Sequence, residues 1–193
     1  SLLGVEVLNA NAGNQALTIT GTTGDDSISA TSTGANTSKV VASGLNLTVN
    51  TNNTGTLTID PLGGTDTVNF QGRAMSDVIA VTYGATTTVA TTGLKSIGVT
   101  SANTEGLNVL AGSGNDDVAL SGATAVATVV DAGLGNGRGE PGGSESLLQH
   151  VPRSAVVVHD QDAANDRLSC VRVARRAGAG DVEGGSRFTS PAA

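Results

Sequence analysis

Apolar and polar residues alternate through most of the chain's first two thirds. Leu17-Thr-Ile19, Leu45-Asn-Leu47-Thr-Val49, Leu57-Thr-Ile59 and Val68-Asn-Phe70 all repeat with period two. That period puts every second side chain on one face of an extended strand, with threonine well suited to the solvated face. Turn formers, mainly Gly, Asn, Asp and Thr, interrupt the alternation about every ten residues. No segment before residue 136 carries a helical period, so the pattern predicts an all-β array of short strands.

The array repeats at about fifty residues. Gly21, Gly72 and Gly122 close three corresponding segments: Leu8 to Gly21, Ile59 to Gly72, and Val109 to Gly122. Gly13, Gly64 and Gly114 align within them, as do Leu17, Val68 and Val118, then Ile19, Phe70 and Leu120. The repeats run over about 5–55, 56–105 and 106–136, the last one partial. Near-uniform spacing without an obvious two-residue hairpin turn predicts a parallel β-helix, a β-solenoid of ~50-residue repeats over 1–136. A β-sandwich is the alternative, since turns every 8–12 residues also mark that fold.

The pattern then breaks. Asp131-Ala-Gly-Leu-Gly-Asn136 is set up like Leu110-Ala-Gly-Ser-Gly-Asn115, yet Gly137 stands where the earlier copy has Asp116. Residues 1–136 hold 24 threonines and 13 asparagines, whereas 137–193 hold one of each, and arginine rises from one to seven. A tail, a domain boundary or a reading-frame shift would each account for this switch, and the shift is the expectation. Residues 137–193 are expected to have low order, with a strand at Ala155–Val158 and a short helix around Asp162–Arg175.

Composition narrows the function classes. The chain of 193 residues has no tryptophan, one tyrosine and two phenylalanines, so a core of small β-branched side chains is expected. A single cysteine, Cys170, excludes an internal disulfide. The chain opens on Ser1 rather than methionine, and a fragment of a longer protein is expected. No apolar run approaches the ~20 residues of a membrane-spanning helix. Residues 1–136 carry ten acidic and three basic side chains, a net of −7, while 137–193 carry seven of each. Three cations in an acidic region argue against nucleic acid as a partner.

The candidate chemistry lies in the turns. Gly112, Gly114, Asp116 and Val118 occupy the second, fourth, sixth and eighth positions of Ala111-Gly-Ser-Gly-Asn-Asp-Asp-Val-Ala119. Looser copies are Gly21 to Ser29 with Asp25, Asp26 and Ile28, Pro61 to Asn69 with Gly64, Asp66 and Val68, and Gly72 to Ala80 with Asp77 and Ile79. These nonamers resemble the hemolysin-type, or repeats-in-toxin, calcium-binding repeat. The resemblance implies calcium as cofactor, with Asp25, Asp26, Asp66, Asp77, Asp116 and Asp117 as its ligands. It further implies a secreted or surface-attached bacterial Thr/Gly/Asp-rich repeat protein: a non-enzymatic stalk or adhesin with an unknown surface or matrix partner. In that family the nonapeptides run in tandem, whereas these copies start eleven or about fifty residues apart. A second reading therefore stays open, in which the aspartates cap turns through Asx-type hydrogen bonds.

Other chemistries find little support. His159-Asp160-Gln-Asp162 with Asp166 matches no zinc or EF-hand spacing. No histidine precedes His150, and the only cations before 137 are Lys39, Arg73 and Lys95, so no enzyme is expected. The Thr-x-Thr triplets at Thr18-Ile-Thr20 and Thr86-Thr-Thr88 are similar to the threonine arrays of ice-binding solenoids. They do not recur in register along the sequence, so threonine reads there as an exposed strand former. The alternative to a stalk is a module that binds carbohydrate or protein on one face, for which aligned polar residues would be the sign.

Overall fold

The computed structural model describes residues 6–122, 126–134, 156–162 and 167–172. Strands begin about every ten residues, as the turn spacing dictates. The first five are β1 (Val7–Asn11), β2 (Leu17–Thr20), β3 (Ser27–Gly34), β4 (Thr37–Ala42) and β5 (Leu47–Asn52). The next five are β6 (Leu57–Asp60), β7 (Thr67–Gln71), β8 (Val78–Thr82), β9 (Thr86–Thr91) and β10 (Ile97–Thr100). Then come β11 (Gly106–Leu110), β12 (Asp117–Ser121), β13 (Ala127–Leu134), β14 (Val156–Asp162) and β15 (Arg167–Arg172). No α-helix occurs among the described residues, which are β-rich.

The strands form two mixed, open sheets. One has nine strands in the order β1-β5-β4-β3-β7-β11-β13-β14-β15, the other six in the order β12-β8-β9-β10-β6-β2. Fifty residues is the length of five strands: two single strands, one in each sheet, then three antiparallel neighbours. The triplet β3-β4-β5 lies in the larger sheet and the triplet β8-β9-β10 in the smaller one. Successive five-strand sets thus occupy the sheets in opposite order. Residues that align at fifty are consequently not neighbours. The side chains that meet come from parallel strands about forty residues apart: Leu17, Leu57 and Ile97 in one row, Ile28, Val68 and Leu107 in the other.

Inward positions follow the alternation. Burial alternates along β7, β9 and β11, and Leu57, Ile59, Val68, Ile79, Val81, Val89, Leu107 and Val109 are each at most 1% exposed. Phe70 is the largest fully buried side chain. Tyr83 enters the core with its hydroxyl 2.9 Å from Thr128 Oγ1, which supplies the partner a buried phenol needs. At 1.5–3 kcal/mol for each fully buried Val, Leu, Ile or Phe, this apolar layer is the main stabilising element.

Three expectations change. The chain does contain a tight hairpin, with Ala35 and Asn36 alone joining β3 to β4; the pair lacks the Asn-Gly or Asp-Gly signature that would have announced it. Arg167–Arg172 is a strand rather than part of a helix, antiparallel to β14 over six residue pairs. Strand pairing outweighs local propensity there. Thirdly, threonines that are scattered in sequence do come into register. Ser121, Thr82, Thr88, Thr58 and Thr18, with Gly98 between Thr88 and Thr58, form one row across the outer face of the six-stranded sheet. The low order expected for 137–193 concerns residues outside the described ones, β14 and β15 excepted.

Candidate functional site: the acidic turns

The acidic turns sit where the chain passes from one sheet to the other, just before β3, β7, β8, β11 and β12. Glycine makes their close stacking feasible. Gly114 has φ +135°, and a Cβ there would collide with the backbone of Met75 and Ser76 in the turn 39 residues earlier. A Cβ at Gly112, where φ is +103°, would collide with the Arg73 carbonyl oxygen. The glycines of the nonapeptide pattern are thus explained by backbone packed against backbone.

Each turn is tied to its neighbour by a carboxylate. Asp66 Oδ1 accepts the Asp26 backbone N–H at 2.7 Å, and Asp25 Oδ1 accepts that of Thr65 at 2.7 Å. Glu105 Oε2 accepts the Asp66 N–H at 2.7 Å, adding a third member to the column. The second column copies the first, with Asp116 Oδ1 accepting the Asp77 N–H at 2.7 Å. Backbone bonds run alongside: Thr67 N–H donates to the Asp26 carbonyl at 2.9 Å and Asp117 N–H to the Asp77 carbonyl at 2.8 Å. Two aspartates also close their own turns: Asp26 Oδ2 accepts from Thr22 N–H at 2.6 Å, and Asp77 Oδ2 from Arg73 N–H at 2.9 Å.

These carboxylates are buried to an unusual degree. Asp66 is 0% exposed, Asp77 2% and Asp26 6%. Asp77 is compensated by the Arg73 guanidinium, which donates to Oδ1 through Nε at 2.8 Å and also through a terminal nitrogen. Asp66 Oδ2 and Asp116 Oδ2 are buried without a hydrogen-bond partner. Burial raises the Asp116 pKa above the ordinary carboxylate value; the Asp77 N–H opposes that shift and the Asp77 charge adds to it. Asp25 and Asp117 lie at the surface.

The structure thus divides the six sequence candidates into Asp25, Asp26 and Asp66 in one column and Asp77, Asp116 and Asp117 in the other. Calcium takes 6–8 oxygens at about 2.3–2.6 Å. Here the bound carboxylate oxygens face N–H groups, whose positive ends repel a cation. No group of three or more His, Cys, Asp or Glu residues able to hold a metal converges among the described residues. The donor set does not fit a calcium cage. Sequence reasoning missed Glu105, whose signal is its position just before a strand, where the other turns carry aspartate.

Two of the three cations before residue 137 are also engaged. Lys95 Nζ donates to the carbonyls of Thr54, at 2.8 Å, and Gly55, joining turns about forty residues apart. Arg73 is held by Asp77, and Lys39 stands exposed on β4. No helix among the described residues is long and apolar enough to cross a membrane. No protein-family model matches the chain, and no curated protein or solved structure matches it.

Proposed function

We propose that this chain is a non-enzymatic structural segment, a stalk or adhesin portion of an extracellular or cell-surface repeat protein. In this reading it is a β-solenoid of five-strand repeats, braced internally by its own carboxylates rather than by calcium. One observation carries the proposal: Asp25, Asp66, Glu105 and Asp116 each commit one carboxylate oxygen to a backbone amide of a neighbouring turn. A site shaped for substrate would direct charged groups outward to meet it. Here the buried aspartates hold the two sheets in register, and the remaining acidic surface favours solubility. Parallel pairing between strands about forty residues apart supports the solenoid over the sandwich.

The test is mechanical. Pulled by its two ends in a single-molecule force experiment, a stalk segment unfolds in discrete, cooperative steps. A featureless extension, like that of a flexible linker, would sink the stalk reading.

The register of Ser121, Thr82, Thr88, Thr58 and Thr18 favours a second reading, a face that binds a neutral, hydroxyl-rich polysaccharide. Specific retention on a glycan array, lost in Thr58→Val and Thr88→Val variants, would favour this binding module over the stalk.

A further inference from the structure

Three asparagines of the triplet β3-β4-β5 and its exit turn stand two residues before a hydroxyl: Asn36-Thr-Ser38, Asn46-Leu-Thr48 and Asn52-Asn-Thr54. No other asparagine in the chain does, and proline intervenes in none of the three. Asn-x-Ser/Thr without proline is the acceptor pattern for N-linked sugar. The amide nitrogen takes the sugar, and the transferase must also reach the hydroxyl two residues on. With 24 threonines among residues 1–136 the pattern recurs easily by chance, so geometry has to select among the copies.

All three asparagines are exposed. The amides of Asn50, Asn69, Asn103 and Asn108, by contrast, are each spent on a neighbouring side chain. The hydroxyls separate the three copies. Ser38 is 2% exposed and Thr54 1%, each with its hydroxyl oxygen buried and without a hydrogen-bond partner. In the folded chain an enzyme at Asn36 or Asn52 therefore meets only half of the pattern. Thr48 is different. Val49 and Thr51 are the buried residues of β5, so Thr48 stands on the opposite, outer face and is only partly buried.

The backbone also presents Asn46 outward. It follows a single 3-10 turn, Ser43–Leu45, at φ +48° and ψ 36°, a left-handed conformation that asparagine tolerates better than most residues. Its N–H donates to the Ser43 carbonyl at 3.3 Å, and Ser43 Oγ donates to the Ser27 carbonyl at 2.8 Å. The turn is thereby fixed to β3 while its tip faces solvent. Leu45, beside Asn46, is 44% exposed.

We propose that Asn46 is a glycosylation site, which takes a sugar from a nucleotide-diphosphate sugar through a transferase of the producing cell. Asn46 Nδ2 attacks the anomeric carbon. A C–N bond forms there as the anomeric C–O bond breaks, the nucleoside diphosphate leaves with the bonding pair, and Nδ2 gives up one of its two protons to a base on the transferase. The attached sugar hydrates the turn next to the exposed Leu45. The inference stands on the accessibility of Asn46 and Thr48 and does not depend on the stalk reading.

The full folded chain, incubated with a nucleotide-sugar-dependent N-glycosyltransferase and a nucleotide-activated hexose, tests it, with the modified positions located by mass spectrometry. The expected product holds one hexose, at Asn46, whereas a tryptic digest of the same chain takes one at each of the three asparagines. Thr48→Val abolishes the reaction of the folded chain and Thr48→Ser restores it, while melting curves confirm that both variants fold. Chain recovered from the surface of the cells that make it carries sugar on Asn46. A folded chain that takes no hexose, one that takes it at Asn36 or Asn52 as fast as at Asn46, or a Thr48→Val chain that still reacts would overturn the assignment. So would a bare Asn46 in the chain recovered from its own cells.

Discussion

Replacing Asp66 separates a carboxylate that braces backbone from one that binds metal. Asp66 is fully buried, and its Oδ1 lies 2.7 Å from the Asp26 N–H, a bond buried at both ends. Asp66→Ala removes the acceptor and leaves that N–H without a partner, a loss of about 2 kcal/mol for a buried donor. For a domain of this size, about 2–4 °C per kcal/mol converts it to a melting point lower by about 4–8 °C. Asp66→Asn keeps Oδ1 in place and removes the charge whose second oxygen has no partner. It should lose less than half as much. Thermal melts followed by circular dichroism read both variants. If Asp66→Asn falls as far as Asp66→Ala, the charge itself is needed and the amide-bracing account fails.

The other turns and the core give further expectations. Gly114→Ala should cost more than about 1 kcal/mol, since φ +135° and the Met75 backbone both oppose a side chain, while Gly63→Ala, with open space around it, should be near neutral by the same melts. Phe70→Ala should lose about 3–5 kcal/mol in a denaturant titration, because it empties the largest fully buried position. Asp116 has a raised pKa in the fold, so the folded state holds its proton more tightly than the unfolded one, and stability falls as pH rises from the ordinary carboxylate value through the folded one. Asp116→Asn should therefore melt higher than the parent at neutral pH, and the difference should vanish in acid; a variant that melts lower at neutral pH would contradict this.

Much of the fold was legible because side-chain alternation is a local property. Val68-Asn-Phe70 and Leu57-Thr-Ile59 announce their inward faces in three residues, and turn residues mark the ten-residue step. Pairing was not legible, because it depends on which strand lies alongside. Leu17 resembles Val68 fifty residues on, yet it stacks on Leu57, since each five-strand set exchanges sheets with the one before. The hairpin at Ala35 and Asn36 lacked the Asn-Gly or Asp-Gly pair of a two-residue turn, and the threonine row appears only after strands from distant segments are set side by side. At the acidic turns, the sequence groups six aspartates but could not show where their oxygens point. Asp66 and Asp116 face amides of a turn about forty residues away, a direction set by tertiary stacking. Glu105 escaped notice because glutamate stands there in place of the aspartate of the other turns.

The most direct test of the central claim is a thermal melt of the full chain in millimolar calcium and again in excess chelator. The carboxylate-to-amide account predicts two superimposable curves. A cation bound only by the folded state at a hundredfold excess over its Kd would add about 2.7 kcal/mol, or about 5–10 °C at this chain length. A rise of that size with calcium, and a smaller one with magnesium, would show that the turns hold metal and would contradict the account.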